Sequence, residues 1–325
     1  MSKTIQMTTI GGPEVMQLIE QPLGEPGPGE VRVRHHAIGL NFIDVYFRSG
    51  VYPLPSLPSG LGKEGAGVVE AVGPGVTGWQ VGDRVAYAGG DNGAYSESRL
   101  IPAAQLVRLP DSVSFELAAA AMLKGLTAQY LLRRTYRVKP GDTILIHAAA
   151  GGVGLMVCQW AKALGATVIG TVSTPEKAAL AQAHGCDHPL IHSAGHFPTQ
   201  VRELTGGQGV NVVYDSIGKD TFLDSLDCLR PLGMMVSFGN ASGVVESFSP
   251  QLLSQKGSLF LTRPVLFHYT AQRSDLEQMA AELFEVLADG TVKVEIHQRY
   301  ALADVAQAHR DLEARRTTGS TILIP

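Results

Sequence analysis

Apolar and polar positions change their period twice along the chain. Up to about residue 120 the pattern is short and alternating. Val31-Arg32-Val33-Arg34 alternates strictly, and Gly67 to Val72 and Arg84 to Tyr87 are brief apolar runs between Gly, Pro and Asp turns. Strands this closely spaced, with no helical pattern between them, predict a barrel-like β-domain. The texture then shifts. Phe115 to Met122 and Thr127 to Arg134 are rich in helix formers. From Gly141 onward strand-like and helix-like runs take turns: DTILIHAAA, VGLMVCQWAKAL, ATVIGTV, PEKAALAQAH, then VNVVYDSIG, FLDSLDCL, GMMVSFGN and GSLFLTRP. That rhythm, kept up over about 120 residues, predicts a parallel sheet with helices on both faces. After about residue 265 a long helix (DLEQMAAELFEVLADG) is expected. A strand near Val292 to Tyr300, a helix near Val305 to Arg315 and a closing strand, STILIP, follow. This last piece is expected to rejoin the first domain, so that the parallel-sheet domain is an insertion in it.

Composition agrees with a two-domain globular protein. The 325 residues are 45% hydrophobic and 17% charged, with a net charge of −4 spread over both signs. Without a basic stripe, neither nucleic acid nor an anionic membrane is an electrostatically favoured partner. No run approaches the roughly 20 apolar residues of a membrane span, and the N-terminus lacks the apolar core of a signal peptide. The three cysteines, Cys158, Cys186 and Cys228, are odd in number and far apart. They fit neither a disulfide framework nor a metal site, and point to a reducing, cytoplasmic location.

Two glycine loops compete for a dinucleotide. Gly60-Leu61-Gly62-Lys63-Glu64-Gly65 satisfies G-x-G-x-x-G, and Asp83 follows about 20 residues on, where a ribose-binding acid is sought. Context rejects it. A pyrophosphate is held by orphan N–H groups at a helix N-terminus, so its loop must leave a buried strand and open a helix. Here YPLPSLPS precedes and the strand-like AGVVEAV follows. His147 to Gly154 (HAAAGGVG) carries only the later glycines of the pattern, with Ala149 in the first place. It nevertheless follows DTILI and precedes an amphipathic helix. Gly151 and Gly152 therefore allow the close backbone approach of a cofactor, with Gly154 allowing close helix–strand packing.

The next strand ends Val172-Ser173-Thr174-Pro175-Glu176-Lys177. An NAD site wants an acid at that tip. Ser173 and Lys177 suit a 2′-phosphate instead, and Pro175 at the first helical position turns Glu176 outward, so NADP(H) is the expected cofactor. Ligands of open α/β sheets bind beyond the carboxyl ends of the strands, which nominates His192, Ser216 to Gly218, Phe238-Gly239-Asn240 and Thr262-Arg263-Pro264.

The order of these segments, with GLNFIDVYFRSG (Gly39 to Gly50), LKGLTA (Leu123 to Ala128), VYDSIG (Val213 to Gly218), SFGN (Ser237 to Asn240) and TRP (Thr262 to Pro264), resembles the zeta-crystallin-like NADPH:quinone oxidoreductases. These form a zinc-free branch of the medium-chain dehydrogenase/reductase superfamily, and the likeness runs nearly end to end. It implies an α/β protein, with a Rossmann-type NADP(H)-binding domain (123–265) inserted into a GroES-like β-barrel catalytic domain (1–122 and 266–325). It places Asn41 and Tyr46 near the nicotinamide, Thr127 and the Gly152-Val153 peptide near the pyrophosphate, and Ser173 with Lys177 at the 2′-phosphate. Ser216, Phe238, Gly239, Asn240, Arg263 and Arg315 complete the pocket. His192 departs from the tyrosine that relatives often carry. Family dimers join through the sheet edge near 257–264, which implies a homodimer here.

Zinc-dependent relatives carry Cys in the segment matching GLNFID and His-Glu in that matching GLGKEG. Here Asn41 and Lys63 stand in those segments, and no cysteine precedes position 158. Glu64 alone cannot make a site that needs about three ligands. His35 and His36, adjacent on a strand, point to opposite faces. No metal is expected, and without a Lewis acid an alcohol has nothing to lower its pKa. A quinone needs no such help, because it accepts hydride directly. Tyr52 is the candidate donor to a substrate carbonyl, since related 2-enoyl reductases use a tyrosine in a similar segment. No side chain is identified as an essential acid or base. Two alternatives stand beside quinone reduction: reduction of activated C=C bonds in enones or 2-enoyl thioesters, and a non-catalytic, crystallin-like role in NADPH or RNA binding. The acidic net charge counts against RNA.

Overall fold

Residues 1–191 and 197–325 are described by a computed structural model, in which the chain forms two units. The first comprises Met1–Leu126, Gln272–Ala288 and Val294–Pro325, the second Thr127–Ala271 and Asp289–Lys293. In chain order the elements begin with β1 (Ser2–Met7), β2 (Gln17–Gln21), β3 (Glu30–Leu40), α1 (Phe42–Ser49) and β4 (Ser59–Gly60). There follow β5 (Glu64–Val72), β6 (Arg84–Ala88), β7 (Ser98–Pro102), β8 (Val107–Arg108) and α2 (Phe115–Tyr130). The second unit holds β9 (Thr143–Ile146), α3 (Gly152–Ala163), β10 (Thr167–Val172), α4 (Pro175–Ala183), β11 (His188–Ile191) and α5 (Phe197–Leu204). It continues with β12 (Val210–Asp215), α6 (Phe222–Cys228), β13 (Leu229–Ser237), α7 (Gln251–Gln255), β14 (Phe260–Thr262) and α8 (Leu266–Tyr269). The chain closes with α9 (Arg273–Ala288), β15 (Ile296–Ala301), α10 (Val305–Glu313) and β16 (Ser320–Ile324).

In the first unit the strands run β15-β16-β3-β5-β6-β8, with β7 also on β3, and β2-β1-β4 form a smaller sheet. The alternation of β3 appears as expected: Val31, Val33 and His35 are buried, while Arg34 and His36 are exposed. His35 Nδ1 donates to Ser96 O (2.7 Å) and Nε2 of the neutral ring accepts from Tyr87 Oη (2.7 Å), whereas His36 stacks on Phe115. The closing strand β16 pairs antiparallel with β3, and Ile322 and Leu323 are fully buried. The first unit is thus built from both ends of the chain.

The two helix-forming stretches over 115–134 join in α2, which ends at Tyr130 and is followed by a π-helical turn, Leu131–Thr135. Gly125 lies inside α2, and a Cβ there would sit 2.4 Å from Leu283 Cδ1 of α9. Close packing of the two helices offsets the roughly 1 kcal/mol that a mid-helix glycine costs. The loop GLGKEG becomes β4, a turn and the start of β5, with no helix after it. Asp83 accepts from Gln80 N (3.0 Å) and pairs with Arg108 (2.9 Å), so it closes a turn of the β-unit.

The second unit is a parallel sheet of order β11-β10-β9-β12-β13-β14. The order reverses between β9 and β12, the switch point beside which such sheets bind ligands. Val213, Leu145 and Met235 fill its core with Phe197, Phe222 and Leu226 from the helices. The edge strand β14 is shorter than the apolar run Gly257 to Thr262 predicts, because Gly257 and Ser258 both take positive φ (111° and 55°) in a turn.

Candidate active site

The loop after β9 is shaped for a phosphate. Gly151 N donates to Ala148 O (2.9 Å), and Ala148 takes φ +54°, which turns the chain back into α3. Gly151 is the N-cap of α3 and no side chain caps that end. The first N–H groups of a helix are orphans that an anion satisfies. Gly154 makes the approach feasible: a Cβ there would lie 2.3 Å from Ala148 O and 2.7 Å from Ala149 Cα.

Beneath the loop lies a buried network that the sequence did not reveal. His147 is 1% exposed and bridges Thr171 Oγ1 and Ser225 Oγ, at 2.8 Å each. Ser225 Oγ donates to Asp215 Oδ2 (3.1 Å), as does Thr221 Oγ1 (2.8 Å). The other oxygen, Asp215 Oδ1, accepts from Ile217 N (2.8 Å) and Gly218 N (3.0 Å). The carboxyl ends of β9, β10 and β12 are therefore tied together by side chains, each bond contributing about 1 kcal/mol.

Ser173, at the tip of β10, is exposed, and Lys177 is half-buried one helical turn later. Thr174 caps α4 by accepting from Lys177 N (3.3 Å), with Pro175 at the start of the helix. Glu176 is fully exposed, and its hydrogen bond with Thr174 holds its carboxyl below the usual carboxylate range. The tip therefore presents a hydroxyl and an ammonium, a donor set that fits a 2′-phosphate. Ser216 and the Phe238 to Asn240 turn are adjacent: Asp215 O accepts from Phe238 N (2.7 Å) and Ser216 O from Ala241 N (3.1 Å). Arg263 follows β14 and donates to Pro264 O (3.3 Å). Thr127 is buried on α2. Seven of the nominated cofactor positions thus fall at strand ends or loops of one parallel sheet. His192 lies outside the described residues.

In the first unit, Asn41 is the N-cap of α1, and Asp44 at the third helical position completes a capping box. Asn41 Nδ2 donates to Glu64 Oε2 (2.7 Å), and Leu123 N donates to Glu64 Oε1 (2.6 Å). The ammonium of Lys124 stands 3.5 Å from Glu64 Oε2. Glu64 is wholly buried, which pushes its carboxyl upward against the opposing pull of Lys124, Asn41 and Leu123. Space for it comes from Gly39 across the β3–β5 ladder: a Cβ at Gly39 would be 2.0 Å from Glu64 Oε2 and 2.4 Å from Ala119 O.

Asp44 Oδ2 accepts from Asn41 N (2.9 Å) and from Tyr95 Oη (2.8 Å), and burial raises its carboxyl to about 7. Tyr95 Oη is also 3.1 Å from His309 Nε2, and Arg48 Nη1 is 3.0 Å from His309 Nδ1. Arg48, 2% exposed, forks onto both oxygens of Glu313 (2.7 and 2.9 Å). Tyr46 and Tyr52 stand side by side, ring centroids 5.1 Å apart, with Tyr52 N donating to Tyr46 O (3.0 Å). Lys63 Nζ donates to Gly90 O (2.5 Å) and lies over the Phe47 ring, 4.6 Å from its centroid. Arg315 follows α10 at φ +59°. Asn41, Tyr46 and Tyr52 therefore belong to the cap of one helix, the helix and the loop after it, whereas Arg315 comes from the turn after α10. Sequence reasoning passed over Asp44, Tyr95, Lys124 and His309. The N-x-x-D spacing of Asn41 and Asp44 was the one signal available.

The family model of the alcohol dehydrogenase GroES-like domain matches residues 27–111, and that of the zinc-binding dehydrogenase matches residues 152–285. A quinone oxidoreductase of Pseudomonas aeruginosa is 59% identical, with all of both chains covered. The chain belongs to the quinone oxidoreductase family. It is an oxidoreductase of the medium-chain superfamily, with the superfamily's Rossmann-like sheet and GroES-like β-unit. The quinone oxidoreductase of Escherichia coli, solved in complex with NADPH, superposes with a TM-score of 0.98 at 50% identity, over 99% of this chain and 100% of that one. A 2-haloacrylate reductase of Burkholderia is 48% identical over 97% of this chain and 96% of its own. Membership of the family agrees with the motifs on which the resemblance rested.

Proposed function

We propose that this protein is a metal-independent NADPH:quinone oxidoreductase. The observation that carries the reading is the uncapped N-terminus of α3 with Ser173 and Lys177 at the neighbouring strand tip, a set built for NADPH. The unit Thr127–Ala271 with Asp289–Lys293, against the expected 123–265, is read as its cofactor domain, and the unit Met1–Leu126, Gln272–Ala288 and Val294–Pro325, against the expected 1–122 and 266–325, as its catalytic domain. NADPH, when bound, supplies a hydride. Gly151, Gly152 and Val153 would hold the pyrophosphate through backbone N–H groups, and Ser173 and Lys177 the 2′-phosphate. Thr127, Ser216, Phe238, Gly239, Asn240, Arg263 and Arg315 would line the remainder, and His192 would stand near the cofactor phosphate.

Asn41, Tyr46 and Tyr52 serve the reacting end. Tyr46 and Tyr52 offer aromatic faces against which a planar acceptor stacks, and the Tyr52 hydroxyl is the group to donate to its carbonyl. Positioning carries most of the rate, because a quinone needs no activated nucleophile. Independence of metal is supported by the donor set. Both oxygens of Glu64 are already committed to Asn41 and Leu123, and Lys63 fills the position next to it. No group of three His, Cys, Asp or Glu side chains among the described residues could hold a metal.

A second reading, reduction of an activated C=C bond, is favoured by the likeness to the 2-haloacrylate reductase. The same hydride donor serves it. We also place the protein in the cytoplasm, supported by three free, buried cysteines. A homodimer through β14 is supported by that strand's place at the sheet edge and by Phe260, 58% exposed there.

The test is steady-state NADPH oxidation with para-benzoquinone, phenanthrenequinone, 2-chloroacrylate and crotonyl-CoA. Turnover of the quinones is expected. Silence on both quinones with turnover of either activated alkene overturns the first reading in favour of the second.

A further inference from the structure

We infer that the buried Glu64–Lys124 pair is a positioning device, which decides which end of the Asn41 amide is available to a ligand. The inference rests on the reading of Asn41 as a residue of the reacting end.

A carboxylate only accepts hydrogen bonds, so the atom of Asn41 that faces Glu64 Oε2 at 2.7 Å must be Nδ2. The capping box meanwhile turns the amide oxygen toward the N–H of Asp44 at the start of α1. With both ends assigned, one N–H of Nδ2 is left to offer, in one direction. Glu64 is itself held, because its second oxygen takes Leu123 N at 2.6 Å while its first occupies the space that the missing side chain of Gly39 leaves. Lys124 is 7% exposed, and its ammonium has the Glu64 carboxylate at 3.5 Å and no hydrogen bond elsewhere among the described residues. A buried carboxylate without a cation takes up a proton, and a carboxylic acid faces an amide in either orientation. The lysine thus keeps the acceptor an acceptor. Leu123, Lys124, Asn41 and Glu64 come from α2, the cap of α1 and β5, so the amide is referred to three elements at once.

Glu64→Gln is the decisive variant, because it is isosteric and has one acceptor for two donors. If its oxygen keeps Leu123 N, its amino group meets Asn41 Nδ2 and forces the asparagine to flip. The kcat of quinone reduction should fall by at least about tenfold, while the Kd for NADPH stays within about twofold. Lys124→Met should do the same, and Lys124→Arg, which keeps the charge, should retain kcat within about threefold. Wild-type kcat in a folded Glu64→Gln protein overturns the inference, and so do equal losses in Lys124→Arg and Lys124→Met. If Glu64→Gln shows no cooperative unfolding, the two lysine variants carry the test. Asn41→Ala separates the levels. Its turning over like the wild type would remove the reading of Asn41 and this inference with it. A loss in Asn41→Ala beside normal Glu64→Gln and Lys124→Met proteins would remove this inference alone.

Discussion

Tyr95 donates its hydroxyl hydrogen to Asp44 at 2.8 Å and receives the Nε2 hydrogen of His309 at 3.1 Å. The directions follow from chemistry. Arg48 can only donate, so His309 Nδ1 accepts at 3.0 Å and the proton of the neutral ring is on Nε2. A one-way chain thus runs from Arg48 through His309 and Tyr95 to the carboxylate that caps α1.

Removing the middle of that chain leaves buried groups unpaired at both ends. Tyr95→Phe should lower the unfolding free energy by about 1–3 kcal/mol, read from urea titration. An unchanged midpoint would show that the hydroxyl is dispensable.

Asp44 and the buried histidines pull stability in opposite directions with pH. Burial raises Asp44 from 3.8 to about 7, so between those values the folded state holds a proton that the unfolded chain has lost. Its contribution therefore falls as pH rises through that window. Burial lowers His35 from 6.5 to about 4 and His309 from 6.5 to about 3. The unfolded chain takes up those protons first, so stability is lost as pH falls below about 6.5. Asp44→Asn removes the opposing contribution and should make unfolding free energy climb more steeply between pH 5 and about 7 than in the wild type. Parallel curves from denaturant titrations at the two pH values would refute the assignment of Asp44.

Lys177→Ala should weaken NADPH by about tenfold or more while leaving NADH nearly unchanged, since it removes a charge-assisted contact to a phosphate that NADH lacks. Fluorescence titration of both nucleotides decides it. Equal losses would place Lys177 elsewhere than the 2′-phosphate.

Gly39→Ala should cost about 2–4 kcal/mol, more than an ordinary overpacked site, because the methyl group meets a buried carboxylate and a backbone carbonyl. Thermal unfolding measures it. A variant as stable as the wild type would mean that Glu64 can move aside.

Much of this was legible in the sequence, and the boundary has a physical cause. The loop His147 to Gly154 could be chosen over GLGKEG because a strand and a helix must flank a phosphate loop, which is a local requirement. The alternation of β3 and the βαβ rhythm are local in the same sense. Arg48 and His309 lie 261 residues apart, and no periodicity links them. The contact of Gly125 with Leu283 of α9 is likewise invisible until the two helices are packed. Glu64 was weighed alone as a metal ligand, whereas its role depends on Gly39, Leu123 and Lys124, which only the fold assembles.

The pairing of β16 with β3, and of Arg48 with Glu313, has a consequence for biosynthesis. The first unit holds β1 to β8 but cannot close its sheet until β16 has left the ribosome. The inserted parallel-sheet unit, whose strands are all contiguous in the chain, can mature earlier. Through most of translation the nascent β-unit exposes the flank of β3 that Ile322 and Leu323 will cover. A ribosome stalled shortly before residue 320 would therefore present a protein with a finished nucleotide domain and an open sheet edge, the state that chaperones would have to shield.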